Sequence, residues 1–296
     1  MTTKHSIFSI YLQAIRPKTL SASVAPCLIA SGLAIHEQPL NIFLALTCIL
    51  TAMLLQIGCN LSNDYFDFIK GTDGDDRLGP TRVTQAGLLS PQHVKWAFVF
   101  CFVLAAVGVA ILTYYAGWII AVIGVLGVVT AIAYTAGENA LAYVGLGDVA
   151  AFIFFGPVTV VSMYYIQTGM VSQLSIIASI APGLLCIAIL SVNNLRDIQS
   201  DARANKRTLA VRYGATFTRI EYTLCLLLSA IIPLFIFLTT DSNVIILLPI
   251  LSIFLAIPVL KTVWQQEGRV LNIALGQTGG ILLVYSILAT ISYVFR

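Results

Sequence analysis

The chain has 296 residues, of which 58% are hydrophobic and only 10% charged, with a formal net charge of +3. A soluble domain carries roughly 25% charged residues, and a mean hydropathy of +0.93 leaves more apolar surface than one core of this length can bury. Composition therefore excludes a soluble enzyme, a disordered chain and a nucleic-acid-binding module, and it predicts an all-α integral membrane protein whose partner is the lipid bilayer.

In chain order, Ile7, Ile10, Tyr11, Ala14 and Ile15 form an apolar face that ends at Pro17, as expected of a short helix lying on the membrane surface. A hydrocarbon core of about 30 Å needs about 20 apolar residues per helix. Nine runs meet that measure, near 19–36, 41–62, 94–113, 117–135, 146–166, 174–194, 217–239, 243–262 and 272–294. The first is followed by further spans, unlike a cleaved signal peptide. The whole chain, 1–296, reads as one polytopic domain around a central cavity.

Lys and Arg favour the cytoplasmic side of short loops. With a cytoplasmic N-terminus and an external C-terminus, every basic residue except Arg296 falls on the cytoplasmic side of these nine spans. Two cytoplasmic segments, 63–93 and 193–216, are longer and more polar than the other connections, so chemistry is expected on that face. The six cysteines (Cys27, Cys48, Cys59, Cys101, Cys186 and Cys225) show no CxxC pair and read as inert thiols. His5, His36 and His93 are isolated, which argues against a histidine metal site or triad.

The two polar segments open on related acidic motifs. The first runs from Asn60 through Asp64 and Asp67 to Lys70 and Asp73; the second contains Asn193, Asn194, Arg196, Asp197 and Asp201. If each helix continues through its motif, Asn60, Asp64 and Asp67 share a face, as do Asn193, Asp197 and Asp201. Ionisable groups at membrane depth are costly and mark function. Stacked carboxylates repel one another, and a hard cation such as Mg²⁺, which binds carboxylate oxygens and bridges to phosphates, relieves that repulsion. Arg82, Lys206 and Arg207 are candidate phosphate contacts. Two such faces predict a metal-held diphosphate site at the membrane surface, with a lipid tail entering the bundle. Tyr65, Tyr134 and Tyr143 are candidates to stabilise an allylic cation through their ring faces. A transporter using the acidic faces as an ion path would instead place charges near the midplane.

These motifs, on nine spans, resemble the UbiA superfamily of intramembrane aromatic prenyltransferases over essentially the whole chain. The branch acting on 1,4-dihydroxy-2-naphthoate is suggested by Arg16-Pro17-Lys18-Thr19-Leu20 and by the Asn63-Asp64-Tyr65-Phe66-Asp67 block. Gly79-Pro80-Thr81-Arg82, Tyr134-Thr135, Gly145-Leu146-Gly147-Asp148 and the run from Asn193 to Leu209 add to it. The resemblance implies Asp64, Asp67, Asp73, Asp197 and Asp201 as Mg²⁺ ligands, Asn60 assisting through its side-chain oxygen, and Lys70, Arg82, Lys206 and Arg207 holding phosphate. Tyr134, Asn193 and Arg196 complete the implied substrate site. The implied reaction transfers a polyprenyl group from polyprenyl diphosphate to the naphthoate, with loss of diphosphate and CO₂, to give demethylmenaquinone at the cytoplasmic side of a bacterial inner membrane. No obligate protein partner is implied. Another acceptor, such as 4-hydroxybenzoate or a futalosine-pathway naphthoate, is the alternative. Departures from the family pattern are Gly71 where many members carry Asp, Glu138-Asn139 where the branch carries Pro and a basic residue, and Asn205 in place of a common Gly.

Overall fold

The computed structural model describes residues 6–72 and 78–296. Among these residues there is no strand, and the chain is a bundle of helices. Helix α1 (Ile7–Ile15) begins at Ser6, whose Oγ accepts from Ser9 N at 3.2 Å. It buries Ile10 and Ala14 and leaves Ile7 and Phe8 exposed, the split expected of a surface helix. Arg16, in the left-handed region at φ 57°, ends it, and a 3₁₀ turn over Pro17–Thr19 leads into α2 (Ser21–Glu37) at a bend of 50°.

The remaining elements are α3 (Ile42–Ile69), α4 (Pro91–Ala116), α5 (Trp118–Ala133), α6 (Gly147–Ile153), a π-helical turn (Phe154–Val158), α7 (Thr159–Thr168), α8 (Gln173–Arg203), α9 (Leu209–Thr239), a 3₁₀ segment (Val244–Ser252), α10 (Ile253–Gln265), and α11 (Leu271–Val294). Side chains of Asn41, Ser90, Ser172 and Thr208 cap the first turns of α3, α4, α8 and α9, as their residue types favour.

Seven helical rods are long and apolar enough to cross a bilayer, and the bent pair Ile7–Thr19 with Ser21–Glu37 makes an eighth. The sequence pattern predicts nine. The difference is α5, whose 16 residues span about 24 Å at 1.5 Å per residue. Two predicted ends also shift. Helices α3 and α8 run on through their polar motifs to Ile69 and Arg203, so both motifs stand on final helical turns. The predicted span 146–166 is interrupted at Pro157, which removes a backbone donor and widens the turn. Gly214, at φ 86° and ψ 173°, breaks α9 after its first turn, a conformation that favours glycine.

Helix α8 is the centre of the bundle: 61% of its most apolar window is buried, against 22–44% in the other long rods. Lipid gives helices no hydrophobic reason to associate, so contact relies on close packing of small residues. A Cβ on Gly32 of α2 would lie 2.7 Å from the backbone of Thr290 on α11. Against α8 itself, a Cβ on Gly156 would lie 2.7 Å from Ser179 O. In a second cluster the Phe102 ring of α4 lies where a Gly58 side chain would start, 2.5 Å away. These contacts hold the ends of α3 and α8 either side of one cavity.

Candidate active site

The cavity encloses 340 Å³ and runs from a polar mouth into an apolar interior. Arg16, Asn60, Asn63, Asp67, Arg82, Asn193 and Lys206 line the mouth. Leu55, Ile120, Phe154, Phe155, Met163 and Ile166 line the deeper part. Cys27, Cys48, Cys59 and Cys186 contribute thiols to its wall, and all six cysteines are unpaired.

Three successive turns of α3 supply Asn60, Asn63 and Asp67 to the cavity. Asp67 is buried. Its Oδ2 accepts from Arg82 Nη2 at 2.5 Å and its Oδ1 from the Tyr143 hydroxyl at 2.8 Å. Asp64 belongs to the same broad face but is rotated to its flank, and it is not among the lining residues. Its Oδ2 and Oδ1 accept from Val83 N at 3.0 Å and Thr84 N at 3.2 Å. That pair of bonds fixes the segment that carries Arg82 over the mouth. Asn60 donates from Nδ2 to Ile15 O at 2.9 Å and to Thr19 Oγ1 at 3.0 Å, while Gln56 Nε2 donates to its Oδ1 at 3.3 Å. It therefore ties the 16–19 turn to α3. Asp73 lies outside the described residues.

The second motif is built differently. Arg196, itself buried, donates from Nε to Asp197 Oδ1 at 2.9 Å and from Nη2 to Asp197 Oδ2 at 2.5 Å. Its Nη2 also reaches Asn193 Oδ1 at 2.8 Å, and its Nη1 reaches Asn272 Oδ1 at 2.8 Å. Asn272 Nδ2 in turn donates to Leu78 O at 2.9 Å, joining α11 to the segment that leads to Arg82. One turn below Asp197, Asp201 Oδ1 is 3.4 Å from Lys206 Nζ. Asp201 Oδ2 is buried without a hydrogen-bond partner. Asn205, at φ 55°, adopts the left-handed conformation that Asn tolerates in place of Gly, and the turn it makes delivers Lys206 to the mouth.

The segment between α5 and α6 closes the mouth. Thr135 Oγ1 donates to Asn63 Oδ1. Lys70 Nζ donates to Thr135 O at 2.6 Å and to Gly137 O at 2.7 Å, and it sits 3.9 Å from the centroid of the Tyr143 ring. Burial and the nearby Lys206 push the Lys70 ammonium below its ordinary lysine pKa, with Asp67 opposing. Arg207 acts on this segment through its backbone, donating from N to Tyr143 O at 2.9 Å; its side chain is exposed and does not line the cavity. Arg212 Nη2 donates to Val144 O at 2.8 Å. Gly145, at φ 74°, allows the close approach of Arg207 O, 3.1 Å from where a Cβ would sit. Tyr134 and Asp148 emerge from the two ends of this segment into the cavity. Glu138 and Asn139 are exposed on its outside.

Of the residues named from sequence, Asn60, Asp67, Arg82, Tyr134, Asn193 and Lys206 meet at one cavity. Asp64, Lys70, Asp197, Arg196 and Arg207 hold its walls or its charged groups, and Asp201 faces Lys206 beside them. Arg16, Asn63, Thr135 and Asp148 also line it without having been assigned roles from sequence. A signal existed for Asp148, the sole charged residue in an apolar run from 146 to 166. Asn63 and Thr135 gave none, because polar uncharged residues beside a motif are common. Among the described residues no three His, Cys, Asp or Glu side chains already form a cation cage. Asp67 and Asp201, one from each motif, are close enough to interact electrostatically. With the unpartnered Asp201 Oδ2, they form a donor set suited to a hard cation.

Comparison with known proteins gives the same assignment. The model of the UbiA prenyltransferase family matches residues 23–290. The chain is 38% identical over 235 residues to the 1,4-dihydroxy-2-naphthoate octaprenyltransferase of Escherichia coli (strain K12), covering 77% of this chain and 75% of that one. It is 36% identical to the Mycobacterium tuberculosis (strain ATCC 25618 / H37Rv) protein of the same name, covering 95% of both. Among solved structures, a UbiA homolog from Archaeoglobus fulgidus bound to GPP and Mg²⁺ matches with a TM-score of 0.66 at 16% identity, over 95% of this chain and 99% of that one. The fold, the two acidic helix ends over one cavity and these relatives agree: the chain belongs to the UbiA prenyltransferase family.

Proposed function

We propose that this protein transfers a polyprenyl group from an allylic polyprenyl diphosphate to 1,4-dihydroxy-2-naphthoate, with loss of diphosphate and CO₂, giving demethylmenaquinone in its hydroquinone form in menaquinone biosynthesis. The observation that carries this reading is the single cavity whose mouth holds carboxylates and cations and whose depth is apolar. One molecule with a diphosphate head and an isoprenoid tail satisfies both ends. The names of the relatives support the naphthoate as acceptor.

Asp67 and Asp201 would hold Mg²⁺, with Asp197 beside them and Asp73 supplying a further carboxylate. Held there, Mg²⁺ would supply the charge neutralisation that a leaving diphosphate needs. Arg82 and Lys206, now paired with Asp67 and Asp201, then turn to phosphate oxygens. Arg82 can do so bidentately and Lys206 as a point charge. Asp64 keeps the Arg82 segment in place, and Lys70 holds the Thr135–Gly137 backbone and the Tyr143 ring against the mouth. Tyr143 and Tyr134 offer ring faces to the allylic carbon as it gains positive character.

In the membrane, α5 and the bent α1–α2 pair join the seven long rods to give nine spans. The N-terminus and the cavity mouth lie on the cytoplasmic side of a bacterial inner membrane and the C-terminus outside, the arrangement that puts nearly all the basic residues inside. Membranes containing the protein, given naphthoate, a prenyl diphosphate and Mg²⁺, are expected to yield the hydroquinone form of demethylmenaquinone, or the quinone after oxidation in air, by mass spectrometry. Chelation with EDTA should abolish the product and Mg²⁺ should restore it. Undiminished product in EDTA would remove the metal from the reading.

A further inference from the structure

Asp148 is 4% exposed, lines the cavity, and its Oδ1 has no hydrogen-bond partner in the protein. A buried acceptor left unmet is costly, so its persistence in a closely packed wall calls for a donor. Among the described residues no cation pairs with it: its charged neighbour is another acid, Glu221, whose Oε2 accepts from Ser191 Oγ at 2.9 Å. Nor is Asp148 placed loosely. Gly145 and the bonds from Arg207 N and Arg212 Nη2 fix the turn before it. Beside it Gly147 has no side chain, and a Cβ there would lie 3.1 Å from the Tyr134 hydroxyl and 3.5 Å from Leu190. The wall at this point is thus a carboxylate oxygen near the Tyr134 ring, which the missing side chain of Gly147 lets pack close against the backbone. Those features suit a flat aromatic ring that bears a hydroxyl.

We propose that Asp148 binds the acceptor hydroxyl adjacent to the acceptor's carboxylate and acts as its general base. This rests on the naphthoate reading above. As the ring carbon bearing the carboxylate bonds to the allylic carbon, the allylic C–O bond breaks and its electron pair leaves on the diphosphate. The hydroxyl O–H pair becomes the second bond of a ring ketone, and the proton passes to Asp148 Oδ1. The resulting β-keto carboxylate loses CO₂, and the pair from that C–C bond forms the enolate. Its oxygen takes the proton back from Asp148. The carboxylate ends as it began, and no other acid or base is consumed.

Asp148→Asn keeps an acceptor oxygen and the side-chain volume but not the basicity. Its kcat with the naphthoate is expected to fall about 100-fold or more, while KM for both substrates stays within a few-fold and the melting temperature is unchanged. Asp148→Ala should raise KM for the naphthoate and leave KM for the prenyl diphosphate alone. Wild-type kcat in Asp148→Asn overturns the proposal. So does a loss shared by both KM values together with a lower melting temperature, which marks a structural carboxylate. Should neither variant accumulate, labelling of the wild-type protein by a hydrophobic carbodiimide decides. Naphthoate is expected to protect Asp148 while prenyl diphosphate does not, and absent or unselective labelling counts against the proposal. If the wild-type protein prenylates a different hydroxylated aromatic acid, the naphthoate reading fails while the same comparison, run on that acid, still judges Asp148.

Discussion

Asp64 and Asp67 stand one turn apart on α3, yet their surroundings give them different work. Asp67 is held by Arg82 and Tyr143 at the cavity mouth, where the proposed reaction sets its charge against the diphosphate and its metal. Asp64 spends both oxygens on the backbone of Val83 and Thr84. Asp67→Asn is expected to cut prenyl transfer about 100-fold or more, the scale of losing an electrostatic contact to developing charge, as measured by product formation in membranes with saturating substrates. Asp64→Ala leaves two buried N–H groups unmet, at about 1–3 kcal/mol each. It should lower the melting temperature and, by freeing the Arg82 segment, raise KM for the prenyl diphosphate. Equal effects of the two substitutions on kcat, with no change in melting temperature for either, would mean that both acids meet the substrate.

Among the elements, the spans and the two motif helices were legible in the sequence because each depends on a local pattern. Apolar runs long enough to cross lipid mark the rods, and carboxylates three and four residues apart mark a helical face. What stayed hidden depends on neighbours distant in sequence. The rotation that gives the cavity Asn63 in place of Asp64 is set by where the 82–84 backbone packs. The π-helical turn at Phe154–Val158 has a local cause in Pro157, but the close approach of Gly156 to α8 that accompanies it is not local. Close approach itself is testable. Gly32→Ala places a methyl 2.7 Å from the Thr290 backbone, which cannot move aside as a side chain could. The cost is expected to be about 1–3 kcal/mol, read as a lower melting temperature. Gly280→Ala, on the same α11 rod but with nothing within 4 Å of the new methyl, should leave it unchanged. Matching melting temperatures would show that α2 and α11 are not in contact there.

For the molecule as a whole, scarcity of charge identifies the solvent, and placement of the remaining charge locates the chemistry. The acidic ends of α3 and α8 and the cations Arg82 and Lys206 gather at the mouth of one cavity of 340 Å³ whose depth is apolar. Sequence located this mouth through its charged residues. It could not locate the chamber wall, where Asp148, Tyr134 and Gly147 meet only after the 134–146 segment has folded back between the motif helices. The measurement closest to the central claim is mass spectrometry of the product from membranes given one prenyl diphosphate, Mg²⁺ and an equimolar mixture of hydroxylated aromatic acids. The expected product, as the hydroquinone, has the mass of 1,4-dihydroxy-2-naphthoate plus the prenyl group, less CO₂ and one hydrogen. A prenylated acid that retains its carboxylate, or one built on a different ring, would contradict the account.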